Sequence, residues 1–254
     1  EAVAVNTALY LAEVTGCWVH ICHCASADAL RLIADARARG VRVTVETCPQ
    51  YLALNTDDLV RLRGFGRCAP ALRDQTEVDA IWPYVLDETI DLVCSDHCGF
   101  TAESKESGAD DIFKAPLGLA GVQTLLPVFY DTAVNQRGMD PTQFVRQMAT
   151  NPARIFGLYP RKGALTIGAD ADVVLFDPER TWTARGEEML HKQKWTPFAG
   201  KAITGRVIRT IRRGETIYDD TRDGNARTPA APGSGRFLPR GYGEGQEFSG
   251  LGLV

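Results

Sequence analysis

Residues 17–52 read CWVHICHC (17–24), ASADALRLIADARARG (25–40) and VRVTVETCPQYL (41–52). The first block is short and β-prone, the second carries apolar residues at helical spacing from Ala27 to Arg39 with Gly40 behind it, and the third is rich in Val and Thr until Pro49 stops it. Strand, helix, strand with a crossover of this length predicts a parallel pair, because an antiparallel pair needs no helix between its strands.

The pattern repeats downstream. A helix near Glu77 to Leu86 leads into the apolar run Ile90 to Ser95, which Asp96-His97 closes, so a third parallel strand is expected there. Upstream, Val3, Leu9, Leu11 and Val14 recur at helical spacing and Gly16 ends the run. With neither Met nor an N-cap before it, this helix reads as the middle of something longer, and the chain as a C-terminal fragment. Helices are also expected over 120–133, over 141–148 behind Asp140-Pro141, and from Asn151-Pro152 to Phe156. From Gly163 the pattern changes to short strands: Ala171 to Phe176, Val207 to Arg212, and Glu215 to Tyr218 around the turn at Arg213-Gly214. Beyond Asp223, Gly, Pro, Arg and Ser dominate, a composition too poor in apolar surface to fold alone. Three parts are therefore expected: 1–160, 161–222 and a tail over 223–254.

A chain of 254 residues with 44% hydrophobic content and a formal net charge of -4 is a globular domain or two, with no basic field for nucleic acid. No apolar run approaches the ~20 residues of a membrane helix and no signal peptide opens the chain, which gives a cytoplasmic expectation. The seven cysteines are odd in number, and Cys22, Cys24, Cys48 and Cys94 sit in or beside strand-like runs, as reduced thiols do. Cys22-His23-Cys24 is a poor metal nest on a strand, since neighbours alternate faces. The same alternation puts His20 opposite His23, as a packed histidine.

Taken together, His23-Cys24-Ala25-Ser26, Glu46-Thr47-Cys48-Pro49-Gln50-Tyr51-Leu52, Ser95-Asp96-His97-Cys98, the run from Asn151 to Gly163 and Gly168-Ala169-Asp170-Ala171-Asp172 resemble, in order and spacing, the amidohydrolase superfamily's cyclic amidases: the allantoinase, hydantoinase and dihydroorotase group. The likeness runs from residue 1 to about 222. It implies an α/β fold, namely strands six to eight of a (β/α)8 barrel followed by the C-terminal portion of a small β-sandwich. A whole barrel takes about 250 residues, so roughly half of it is not in this sequence.

The resemblance also implies two divalent metals, zinc first and Mn, Co or Fe second, with a carboxylated Lys and most of the His ligands in the part not present. Two ligands map here: His23, at the end of strand six, on the more exposed metal, and Asp96, at the end of strand eight, on the more buried one. Asp96 would also be the catalytic proton shuttle, taking the proton as a metal-bound hydroxide attacks the ring carbonyl and passing it to the departing nitrogen. Backbone groups of the segments Cys68 to Pro70 and Leu117 to Gly118, represented by Ala69, Leu117 and Gly118, would bind the substrate. The implied substrate is a small cyclic amide (allantoin, a hydantoin, a dihydropyrimidine or dihydroorotate) and the implied assembly a homo-oligomer, dimer or tetramer. Ala71 replaces a Pro of the family pattern, Gly99 stands where a Pro is usual and Gln50 where many relatives have His, which leaves the substrate open.

Two alternatives stand beside this reading. Asp96 taken alone is a strand-end residue capping the next helix, and the whole chain is a non-catalytic homologue used for binding or assembly. Two ligands cannot hold a two-metal site, so the fragment by itself is expected to be inactive.

Overall fold

The computed structural model describes residues 1–222 and 227–239, so only part of the segment read as a tail lies within the described residues. The chain forms two compact units: Glu1–Met139 with Thr183–Ile203, and Asp140–Trp182 with the chain from Thr204 onward.

In the first unit, α1 (Ala2–Thr15) ends at Gly16, whose left-handed backbone (φ 68°) suits a residue without a Cβ. Its buried side is Val5, Leu9 and Ala12, while Val3, Leu11 and Val14 remain exposed. Then come β1 (Val19–Ile21), α2 (Ala27–Ala38) and β2 (Val43–Thr47). The Ser26 hydroxyl caps α2 by accepting from the Ala29 N–H. β1 and β2 pair in parallel, with Val19 beside Val43 and Ile21 beside Val45. After α3 (Pro49–Ala53), α4 (Thr56–Leu62) and α5 (Gln75–Leu86), the strand β3 (Leu92–Val93) adds to β2, also in parallel, with Thr47 beside Val93. The resulting order, β1-β2-β3, is that of the sequence reading, with β3 shorter than the apolar run that contains it.

One face of this sheet is apolar. Val43 and Val45 of β2 and Val93 of β3 are buried, as are Leu30 and Ile33 of α2 and Val78, Ile81 and Val85 of α5. Burying a side chain of this size is worth about 1.5–3 kcal/mol. Arg37 of α2 ties the edge of that packing: it donates to the carbonyls of Val43 (3.1 Å) and Thr89 (2.7 Å) and to the buried Asp91 carboxylate, whose Oδ2 also accepts from the Val45 N–H at 2.7 Å. The other face carries His20, Glu46 and Cys94, and there the candidate site begins.

Short helices α6 (Ala102–Glu106) and α7 (Leu125–Tyr130) follow, the latter continued by a wider π turn over Asp131–Asn135. Residues 183–203, inside the span read as a β module, are tied to this unit: the Trp195 indole donates to the Phe100 carbonyl (2.8 Å) and Lys201 to that of Ala53 (3.0 Å). No helix among the described residues is long and apolar enough to cross a membrane.

In the second unit, α8 (Pro141–Val145) and α9 (Asn151–Ile155) flank a π turn over Arg146–Thr150. The Asp140 carboxylate caps α8 by accepting from the Thr142 N–H. A three-stranded sheet follows, ordered β4 (Val173–Thr183), β5 (Ala202–Arg212), β6 (Glu215–Asp219). β5 and β6 form an antiparallel hairpin through Arg213-Gly214, with a bulge between Thr210 and Ile211. Strands β4 and β5 are each longer than the runs that announced them.

Candidate active site

His23 follows β1 by two residues and Asp96 follows β3 by three. Both adopt left-handed backbones, φ 39° and 43°, which side chains other than Gly seldom take. Such conformations cost of order 1–3 kcal/mol and persist where the surroundings impose them, as they do at functional sites. The turn at His23 is held from below: the Cys24 N–H donates to the Glu46 carbonyl (2.7 Å), and the Thr47 hydroxyl to the Cys24 carbonyl (2.7 Å). At the end of β3, the Cys94 N–H donates to the Thr47 carbonyl at 2.9 Å. Both turns are therefore anchored on the last residues of β2.

The two predicted ligands are neighbours. Burial raises the Asp96 carboxyl above its ordinary value; the nearby His23 pulls it back down, and Glu46 pushes it up further. His23 Nδ1 is buried and meets no hydrogen-bond partner among the described residues. An imidazole nitrogen left bare in this way beside a carboxylate is a donor set that a divalent ion such as zinc accepts.

Around this pair lies a polar cluster that the sequence reading did not assemble. His20 Nε2 is 3.3 Å from Glu46 Oε2 and its Nδ1 is 2.7 Å from the Thr44 hydroxyl. The Cys94 thiol donates to Glu46 Oε1 at 3.1 Å and lies 3.5 Å from Cys48 Sγ. One ligand atom each from His20, Cys22 and Glu46 fall within 4.8 Å of one another. His20, expected as a packed histidine, is a hydrogen-bonded member of this cluster, sharing Glu46 with the His23 backbone. A Glu in the Val-Thr-Val-Glu-Thr run was the available signal, since an acid within an apolar strand needs partners.

The segments expected to meet substrate are each held by hydrogen bonds. Tyr51 of α3, almost fully buried, donates its hydroxyl to the Pro70 carbonyl at 3.0 Å and so fixes the segment that contains Ala69, which is exposed. Leu117 is exposed and Gly118 buried; the Gly118 N–H donates to the Arg67 carbonyl at 3.0 Å. Lys105 joins the two segments through three hydrogen bonds. Nothing in Thr101-Ala102-Glu103-Ser104-Lys105 distinguishes it from a solvated helix, so sequence reasoning could not have found it. His97 Nδ1 accepts from the Gly121 (3.2 Å) and Val122 (3.3 Å) N–H groups, and its ring meets that of His191 edge-on at 5.3 Å. His191 Nδ1 in turn lies 3.3 Å from Gln193 Oε1. A separate cavity of about 240 Å³ between Trp82, Asp131, Arg137 and Phe198 contains none of the predicted site residues.

The model of the family described as "Amidohydrolase family" matches residues 3–217. The chain belongs to the amidohydrolase family. An allantoinase of Salmonella newport (strain SL254) is 37% identical over 219 residues, which are 86% of this chain and 48% of that protein. Among solved structures, the dihydropyrimidinase of Brevibacillus agri NCHU1002 superposes with a TM-score of 0.81 at 32% identity, covering 87% of this chain and 49% of that one. The L-hydantoinase (dihydropyrimidinase) of Arthrobacter aurescens gives 0.83 at 32% identity, covering 86% and 48%. This amidohydrolase chain spans about half the length of these relatives.

Proposed function

We propose that the complete protein carrying this chain hydrolyses the C–N bond of a small cyclic amide, with β1, β2 and β3 as strands six to eight of a (β/α)8 barrel and β4 to β6 as part of a small β-sandwich. The observation that carries the reading is the bare, buried Nδ1 of His23 beside Asp96, both on left-handed backbones just beyond the ends of two parallel strands. Likeness to an allantoinase and to dihydropyrimidinases supports the substrate class.

His23 and Asp96 would hold divalent metal, zinc by preference, together with ligands from the rest of the protein, a carboxylated Lys among them. When bound, such a pair lowers the pKa of water towards about 7 and polarises the substrate carbonyl. Asp96 takes the proton from the attacking water and releases it to the departing ring nitrogen. A carboxylate placed at the end of its strand can accept that proton and give it up again, which a neutral side chain could not do. Backbone groups at Ala69, Leu117 and Gly118 orient the ring. Glu46 fixes the His23 turn by accepting from its backbone N–H.

The test is metal content together with hydrolysis of allantoin, hydantoin, dihydrouracil and dihydroorotate by the complete protein and its Asp96→Ala variant. Bound metal and an activity that falls by about 10²–10⁴ in the variant would establish the reading. A folded, metal-free protein inactive on all four would leave the non-catalytic homologue in its place.

A further inference from the structure

Lys105 is a fully buried lysine whose ammonium bonds to backbone carbonyls and to no carboxylate among the described residues. Its Nζ donates to three backbone carbonyls: Arg67 at 2.9 Å, Pro116 at 2.8 Å and Gly118 at 2.9 Å. An ammonium has three hydrogens, so the set is complete. The Trp195 ring lies 5.8 Å from the charge, and Trp195 is itself fixed by its hydrogen bond to Phe100 and an edge contact with Phe65 at 5.2 Å between centroids.

The three carbonyls come from two separate places. Arg67 immediately precedes Cys68-Ala69-Pro70, whereas Pro116 and Gly118 flank Leu117. The Arg67 carbonyl accepts from both Lys105 and the Gly118 N–H, so the segments share one node. Packing around the node leaves no room for slack: a Cβ on Gly118 would lie 2.4 Å from the Cys98 side chain, and one on Gly64 would lie 2.1 Å from the Lys105 carbonyl. A lysine costs several kcal/mol to bury as an ion. Placing one where a Met would fill the same volume is explained if the three bonds hold two segments at a fixed spacing.

We propose that Lys105 is a positioning residue for substrate binding, an ammonium clasp that sets the distance between the Ala69 segment and the Leu117-Gly118 segment. This rests on the assignment of those segments to the substrate made above. Through the clasp, the spacing depends on protonation. Burial pulls the Lys105 amine down to about 8, the nearby Cys68 and Cys98 pull it up and Arg67 pushes it down again; the Trp195 ring also faces it. A neutral amine has two hydrogens, so above that pH one carbonyl loses its donor.

The experiment has two arms. In the first, amide hydrogen exchange is followed on the complete protein and on its Lys105→Met variant. Peptides over 115–119 are expected to exchange about tenfold faster or more in the variant, the worth of one charge-assisted hydrogen bond, with those over α2 unchanged. Equal exchange in the two proteins would overturn the clasp. In the second, KM and kcat of the complete protein are measured from pH 6.5 to 9.5 with a cyclic amide that has no group titrating in that range. KM should rise as pH passes about 8 with kcat little affected, and Lys105→Met should show the raised KM throughout.

If the variant does not fold, the wild-type KM profile decides alone: a flat KM overturns the positioning role. Faster exchange without any change in KM also overturns it, leaving a structural lysine. A complete protein inactive on every cyclic amide sinks the functional reading, while the exchange arm still decides the clasp.

Discussion

Glu46 and His20 face one another from adjacent parallel strands, with His20 Nε2 3.3 Å from Glu46 Oε2, and the carboxylate's other oxygen accepts from the Cys94 thiol. One acid therefore links all three strands of the sheet. Replacing Glu46 by Ala takes one partner from both the Cys94 thiol and His20, and is expected to cost about 1.5–3 kcal/mol, the range for hydrogen bonds to a charged group. Urea denaturation of the two proteins checks this; a loss below 0.5 kcal/mol, on the order of an ordinary surface substitution, would refute the link.

Arg37 ends in a pocket of acceptors that only a guanidinium can serve, because its Nε and both Nη groups are each engaged. Arg37→Met keeps much of the volume and takes the guanidinium away from the buried Asp91 carboxylate. The expected cost is about 3–5 kcal/mol, read from the midpoint of chemical denaturation. In the double variant with Asp91→Asn, much of that loss should return.

The Asp220 carboxylate accepts from Arg206 through Nε and Nη2 (2.7 Å each) and from the Tyr218 hydroxyl (2.8 Å), with Arg180 at 3.0 Å. Burial pushes its carboxyl up, but these hydrogen bonds and charges outweigh it and hold it below the ordinary 3.8. A depressed folded value means that stability is present above 3.8 and is lost as pH falls through the folded value. The second unit should therefore weaken steeply on acidification below that point. Asp220→Asn should be less stable at pH 7 and should lose part of the acid slope, as followed by tryptophan fluorescence near Trp182.

Gly118 has φ +139°, where L side chains are strained, and an added methyl meets Cys98 at 2.4 Å. Gly118→Ala is expected to destabilise by about 1–3 kcal/mol. A companion change, Cys98→Ser, removes no Cβ and should not rescue it; Cys98→Gly should recover part of the loss. Thermal denaturation of the three variants distinguishes packing from backbone strain.

Much of the first unit was legible because apolar periodicity and breakers coincide: Gly16, Gly40 and Pro49 end elements where the sequence says they should. The proposed ligands His23 and Asp96 were legible only through motif resemblance, since no periodicity reveals that two residues share left-handed backbones beyond the ends of β1 and β3. Glu46 was half visible, as an acid in an apolar strand whose partners come from 26 residues before it and 48 after. The tie of residues 183–203 to the first unit was not legible at all, because Trp195 and Lys201 reach Phe100 and Ala53 across long stretches of chain. Contacts of that separation leave no local pattern.

The burial of Lys105 has a practical side. An amine with no exposed surface is invisible to acylating reagents, whereas the remaining lysines offer a background that reacts at once. Labelling of this one position therefore counts the moments at which the surrounding loops come apart, which makes the native chain its own clock for that opening without any probe being introduced.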